Sequence, residues 1–182
     1  VTLSVNTEYQ QLDKLKLAFL LLLPKTPHRR IIMKILVDGD GCPVIRETEE
    51  AARKFGLESI IFCDTSHRIQ SEISEVCLVD KGADSADFAL VSRILPGDVV
   101  VTQDYGLAAM ALAKGAFAFH QDGWQYTEDN MDLLLLERYE AKKARKSAKH
   151  HLKGPRKRDK EANHVFFERL SLFLRKLSGT SV

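Results

Sequence analysis

The carboxylates Asp38 and Asp40, separated by one glycine at the end of the apolar run Ile35-Leu36-Val37, are the first residues whose type and spacing suggest chemistry. A short apolar run of this kind reads as a buried parallel strand that delivers acid at its C-terminal edge. Side chains alternate along a strand, so Asp38 and Asp40 share a face if the extended conformation continues. Gly39 and Gly41 leave the backbone free to turn and a ligand free to approach, and Pro43 suits the first turn of a helix. Ligands of open parallel sheets sit outside the carboxyl ends of the strands, where paired carboxylates suit a hard divalent cation such as Mg²⁺ or Mn²⁺. A polar strand-to-helix turn with Asp as a cap accounts for the same two residues without metal.

The placement recurs along the chain. Val76 to Val79 reads as a strand ending at Asp80, and Lys81-Gly-Ala-Asp-Ser-Ala-Asp then turns into a helix. Asp84 can cap that helix with Asp87 three residues later, and either carboxylate can instead lean over the sheet edge toward Asp38. Val99 to Thr102 forms a further strand, with Asp104 just beyond it. Asp38, Asp40, Asp80, Asp84, Asp87 and Asp104 thus all fall at or just past strand C-termini. Crowded carboxylates repel one another unless a cation is bound, which makes a metal site the economical reading. Asp64-Thr-Ser-His-Arg follows the strand Leu57 to Cys63 at the same edge. His67 and Arg68 there either face the crevice, as phosphate contacts, or are ordinary surface residues.

Helices that position these strand ends are legible between them. Val44 to Phe55 puts Ala51, Ala52 and Phe55 on one face, with Gly56 placed as a C-cap. Another follows Asp104 and runs to Lys114, and Gly115 to His120 is a fifth, short strand followed by Asp122-Gly-Trp-Gln-Tyr, a turn into an extended segment. A long helix starts after Thr127 and becomes basic from Arg138, Gly154-Pro155 breaks it, and Asp159 to Leu177 closes the chain. That last helix carries Val165, Phe166, Leu170, Phe173, Leu174 and Leu177 at core-like spacings. Alternating strands and helices predict an α/β fold with a mainly parallel central sheet of about five strands and a C-terminal helical extension.

With 182 residues, of which 45% are hydrophobic, the chain is large enough for one core with appendages. Its formal charge of +2 hides a segregation: Met33 to Glu137 holds 19 Asp/Glu against 8 Lys/Arg, whereas Arg138 to Lys160 holds 11 Lys/Arg against Glu140 and Asp159 alone. An acidic body with a basic arm can hold metal in one part and a phosphate backbone with the other. A solvated basic helix on an acidic domain has the same composition. Residues 1–32 read as an upstream extension, residues 33–137 as the α/β domain, and residues 138–182 as the basic arm and closing helix. Cys42, Cys63 and Cys77 lack disulfide-framework or zinc spacing, so a reducing cytoplasm is the expected home. The run Leu17 to Leu23 is too short to span a bilayer and has no small-residue cleavage site after it, which argues against a membrane anchor or secretion. Nothing calls for a haem or a nucleotide cofactor, and no signal fixes the oligomeric state.

Asp38-Gly-Asp-Gly-Cys-Pro, Val79-Asp-Lys-Gly-Ala-Asp-Ser-Ala-Asp and Val101-Thr-Gln-Asp-Tyr-Gly-Leu-Ala together resemble the YaiI/YqxD family, which is grouped with the PIN-like nucleases. The resemblance extends from about Met33 to Leu177. In that family the first motif is usually Asp-Ala-Asp-Ala-Cys-Pro, so glycines here replace alanines, sparing the carboxylates but loosening the turn. At superfamily level Thr102-Gln-Asp104 resembles the Thr-x-Asp of PIN domains, and Asp38 their first-strand aspartate. The resemblance implies a PIN-like three-layer fold and, because PIN domains are metal-dependent ribonucleases, an RNA phosphodiester as substrate.

The expectation is therefore a Mg²⁺- or Mn²⁺-dependent nuclease acting on RNA. Asp38, Asp40 and Asp104 would be catalytic, and Asp84 and Asp87 would join them as metal ligands. His67, Arg68, Lys81 and Thr102 would meet the substrate, and Lys142, Lys143, Arg145 and Lys146 would supply sequence-independent backbone affinity. Two other classes remain open: a non-catalytic RNA- or ribosome-binding module, and a small-substrate phosphatase for which the basic arm has no role.

Overall fold

A computed structural model describes residues 33–82, 84–147 and 158–178, without the side chains of 141, 142 and 144–147. The N-terminal extension therefore lies outside the described residues. Six strands form one sheet: β1 (Lys34–Asp38), β2 (Glu58–Asp64), β3 (Glu75–Val79), β4 (Val99–Val101), β5 (Phe117–Phe119) and β6 (Gln125–Tyr126). The helices are α1 (Ile45–Phe55), α2 (Ser85–Arg93), α3 (Tyr105–Ala113), α4 (Glu128–Ser147) and α5 (Lys160–Leu177). The sheet order is β3-β2-β1-β4-β5-β6, parallel except for β6, which runs antiparallel to β5. The sheet thus has one strand more than the five expected, because the turn at Asp122 and Gly123 folds Gln125 and Tyr126 back onto β5.

Alternation along the strands builds a three-layer α/β fold. Leu36, Ile60, Phe62, Val100 and Ala118 point to one face and pack with Leu90 of α2, Leu107 and Ala111 of α3, and Met131 of α4. Ile35, Val37, Ile61, Val99, Val101 and Phe119 point to the other, against Ala51 and Ala52 of α1 and Phe166, Leu170 and Leu174 of α5. Those three α5 side chains are fully buried. Each contributes about 1.5–3 kcal/mol of hydrophobic stabilisation, so the closing helix is part of the core rather than an attachment. Asp159 caps α5 by accepting from the Ala162 N–H at 2.8 Å. Leu177 is an exception to the core-like spacing: at the last position of α5 it is 41% exposed.

Other local expectations are revised. Helix α1 begins at Ile45 with Val44 as its cap, so Pro43 lies before the helix rather than in its first turn; Gly56 ends it in the left-handed conformation at φ 65°. Asp98, fully buried, is structural: its two oxygens accept from the backbone N–H groups of Lys34 and Leu95 at 3.0 and 2.8 Å. It anchors the opposite end of the sheet from the remaining acids.

Candidate metal centre

Strands β1 and β4 are neighbours although a sheet order of 3-2-1-4-5 sends their following connections to opposite sides, so the gap beyond their carboxyl ends is the switch point of the sheet. Val37 pairs with Val101, which brings the next residues, Asp38 and Thr102, side by side. Thr102, fully buried, donates its hydroxyl to Asp38 Oδ2 at 2.7 Å and accepts the Asp104 N–H at 2.9 Å. One hydroxyl therefore fixes both carboxylate-bearing loops. Asp104 caps α3, its Oδ1 accepting from Gly106 N and Leu107 N at 2.7 and 3.0 Å. This leaves Oδ2 as the oxygen available to a ligand.

The chain turns at Gly39, so Asp38 and Asp40 do not continue along one extended face. Gly39 N–H donates to Phe62 O at 2.7 Å, and a Cβ there would lie 2.8 Å from Ile61 Cγ2 and 2.9 Å from Phe62 O. A Cβ at Gly41 would run into the Gln103 amide, which donates to Gly41 O at 2.9 Å. The glycines thus tighten this turn against β2 and the β4 loop instead of loosening it. Asp40 Oδ1 accepts from Asp64 N at 2.9 Å and lies 3.0 Å from His67 Nδ1, which is also 3.1 Å from Asp64 Oδ1. The Asp64 carboxyl is held below the usual range, chiefly by the Ser66 N–H it accepts and also by His67. One ligand atom from each of Asp40, Asp64 and His67 fits within 4.8 Å, a spacing compatible with a cation.

Asp84 precedes α2 in the left-handed conformation, at φ 57° and ψ 19°, and its side chain makes no cap bond. It is the one non-glycine residue at positive φ among those described. The cap expected for it is absent, and its carboxylate lines a cleft of about 470 Å³ together with Asp38, Asp40, Asp87 and Asp104. Burial, then the fields of Asp38, Asp104, Asp84 and Asp40, pushes the Asp87 carboxyl up to about 6. Burial also raises Asp38, against the opposing Thr102 hydroxyl, with Asp40 and Asp104 adding to the rise. Five carboxylates on one cleft are donors of the type that a hard cation such as Mg²⁺ or Mn²⁺ takes, while among the described residues the group whose three ligand atoms already lie within 4.8 Å of one another is Asp40, Asp64 and His67.

Arg138 of α4 also lines the cleft, its Nη2 3.3 Å from Asp104 Oδ2. Both side chains are partly exposed, 48% and 39%, so this ion pair contributes only about 0–1 kcal/mol. The sequence signal for Arg138 was weak, since it reads as the first residue of a basic run; only the path of α4 past α3 brings it here. Gln103 and Tyr105 line the cleft as well. Asp64 completes the cluster with Asp40 and His67, and only its position at the end of β2 hinted at that.

The other candidates are dispersed. His67 turns to Asp40 and Asp64 rather than lining the cleft, and exposed Arg68, Asp80 and Lys81 are not among its lining residues. Helix α4 carries the backbone through positions 142, 143, 145 and 146; Lys143 is exposed, and the side chains of Lys142, Arg145 and Lys146 lie outside the described residues. Arg158, counted in the basic arm, is instead a clamp: it donates to Asp122 Oδ1 at 2.5 Å, Gln121 O at 2.6 Å and Ala162 O at 3.1 Å. No helix among the described residues is long and apolar enough to cross a membrane.

Comparison with known proteins places this chain in a family. Residues 36–176 match a family model described as "Uncharacterized BCR, YaiI/YqxD family". A UPF0178 protein of Clostridium acetobutylicum is 51% identical over 135 residues, covering 74% of this chain and 91% of the relative. Another, of Alkaliphilus oremlandii, is 44% identical over 137 residues, 75% of this chain and 87% of its own. A third, of Lachnoclostridium phytofermentans, is 43% identical over 149 residues, 81% of this chain and all of the relative. No solved structure matches the chain.

Proposed function

The chain belongs to the YaiI/YqxD family, whose description assigns no reaction, and from its acidic cleft we propose that it is a divalent-cation-dependent phosphodiesterase acting on RNA. One observation carries the reading: carboxylates from β1, from the loop after β3 and from the loop after β4 meet at the sheet's switch point, where Arg138 is the one cationic side chain among the described residues that line the cleft. The resemblance of Asp38 and Thr102-Gln-Asp104 to PIN nucleases supports the substrate class, as does the basic segment that follows the cleft.

Asp38, Asp40, Asp84, Asp87 and Asp104 would share the cation. Bound there, Mg²⁺ or Mn²⁺ would supply charge to the phosphate and activate water. The chain's own contribution is rigidity: Thr102 holds the Asp38 carboxylate and the Asp104 backbone in fixed relation, and the α3 N-terminus holds Asp104 Oδ1. Asp40, Asp64 and His67, whose ligand atoms already lie within 4.8 Å of one another, would hold a second cation that adds positive charge for the phosphate. The test is thermal melting with and without Mn²⁺. The parent should be stabilised by mass action, and the Asp38→Asn/Asp104→Asn variant should lose the response. Equal shifts in the two proteins would place the ion elsewhere.

A further inference from the structure

We propose that Arg138 is the cleft's phosphate ligand, stored on Asp104 until a divalent cation takes that carboxylate; the proposal rests on the metal-centre reading above. The two Asp104 oxygens have different commitments. Oδ1 stays with the start of α3 through Gly106 N and Leu107 N, whereas Oδ2, which accepts no backbone N–H, has Arg138 Nη2 3.3 Å away. Cation and guanidinium therefore compete for one oxygen.

The existing pair is built to be given up. Charge-assisted N–H···O bonds commonly span about 2.7–2.9 Å, so 3.3 Å is a loose contact, and water reaches both partners. A divalent ion held among the cleft carboxylates would outcompete it. Once displaced, Arg138 remains at the cleft, because its Cζ lies 5.6 Å from the centre of the Tyr105 ring, within cation–π reach, and Tyr105 lines the same cleft. Among the described residues Arg138 is the sole basic side chain lining it. A phosphodiester entering between five carboxylates needs a cationic partner besides the ion, and the planar guanidinium can grip two oxygens of one phosphate. The latch thus couples the two ligands: the cation frees the arginine, and the freed arginine binds the phosphate.

The test uses the full chain with Arg138→Gln and Arg138→Lys variants. Mn²⁺ is titrated calorimetrically without nucleic acid, and a labelled single-stranded 2′-O-methyl oligoribonucleotide, checked on a gel to stay intact, is then titrated with and without Mn²⁺. Removing the competitor should raise the Mn²⁺ affinity of Arg138→Gln about threefold. Its oligonucleotide affinity should fall about tenfold in Mn²⁺ and hardly at all without it, with Arg138→Lys intermediate. Unchanged or weaker Mn²⁺ binding by Arg138→Gln, or an equal oligonucleotide loss with and without Mn²⁺, overturns the latch alone. A parent that binds no Mn²⁺ removes the metal centre and the latch with it.

Discussion

Asp87, pushed up to about 6 by burial and by the carboxylates around it, would report a cation bound in the cleft through stability as well as through binding. Its ordinary value is 3.8, so between about 4 and 6 the folded protein holds more protons than the unfolded chain. The stability from this group is fully present below 3.8 and is lost as pH rises through 6. In chelator, the parent's melting temperature should therefore fall over that window relative to Asp87→Asn; parallel curves for the two proteins would mean that Asp87 is not crowded. With Mn²⁺ present the sign reverses, because the ion binds the deprotonated carboxylate and its stabilisation grows with pH. Thr102 sets a second expectation at this scale. Thr102→Val keeps the shape but leaves Asp38 Oδ2 and the Asp104 N–H without their shared partner, costing about 1–3 kcal/mol in urea unfolding. Mn²⁺ affinity should fall with it, since the two carboxylates are no longer held in register.

Helix α2 begins at a strained residue, and that strain separates fold from function. A side chain at Asp84's φ of 57° is disfavoured, more weakly for Asp than for most residues, and no cap bond compensates it. Asp84→Gly should leave stability unchanged or raise it by about 0.5–1 kcal/mol while weakening Mn²⁺ binding, measured by urea unfolding and calorimetry. A loss of stability with unchanged Mn²⁺ affinity would mean that Asp84 serves the helix after all. The strands, the helices between them and the acids at their ends were legible because apolar runs and α/β alternation are local signals. The sheet order was not, since pairing β1 with β4 brings together residues 64 positions apart, as Lys34 and Asp98 illustrate. Asp84 satisfied the spacing of a capping box, and spacing carries no information about φ. The turn at Asp122 into an extended segment was legible, but β6, two residues long, is too short for periodicity to mark as a strand of the sheet. Arg138 was hidden for the same reason as the sheet order: its partner Asp104 is 34 positions away on another element.

Over the whole molecule, an acidic cleft and a basic segment meet along α4, which begins among core residues at Met131, passes the cleft at Arg138 and continues through the backbone of Lys142, Lys143, Arg145 and Lys146. If those four lysines and arginines bind phosphates, replacing all of them with Gln should weaken RNA binding and flatten the slope of log affinity against log salt by about three, from roughly 0.7 per contact on a single strand. The saturated cleavage rate should survive, because the carboxylates are untouched; an unaltered slope would reduce the segment to a solvated helix face. The proposed function stands or falls on the metal dependence of phosphodiester cleavage. The measurement that tests it most directly is incubation of single-stranded RNA with the full chain and with Asp38→Asn/Asp104→Asn, in Mn²⁺ and in chelator. The parent should cleave only in Mn²⁺ and the variant in neither condition, whereas cleavage by the variant at the parent's rate, or no cleavage by either protein in Mn²⁺, would contradict the account.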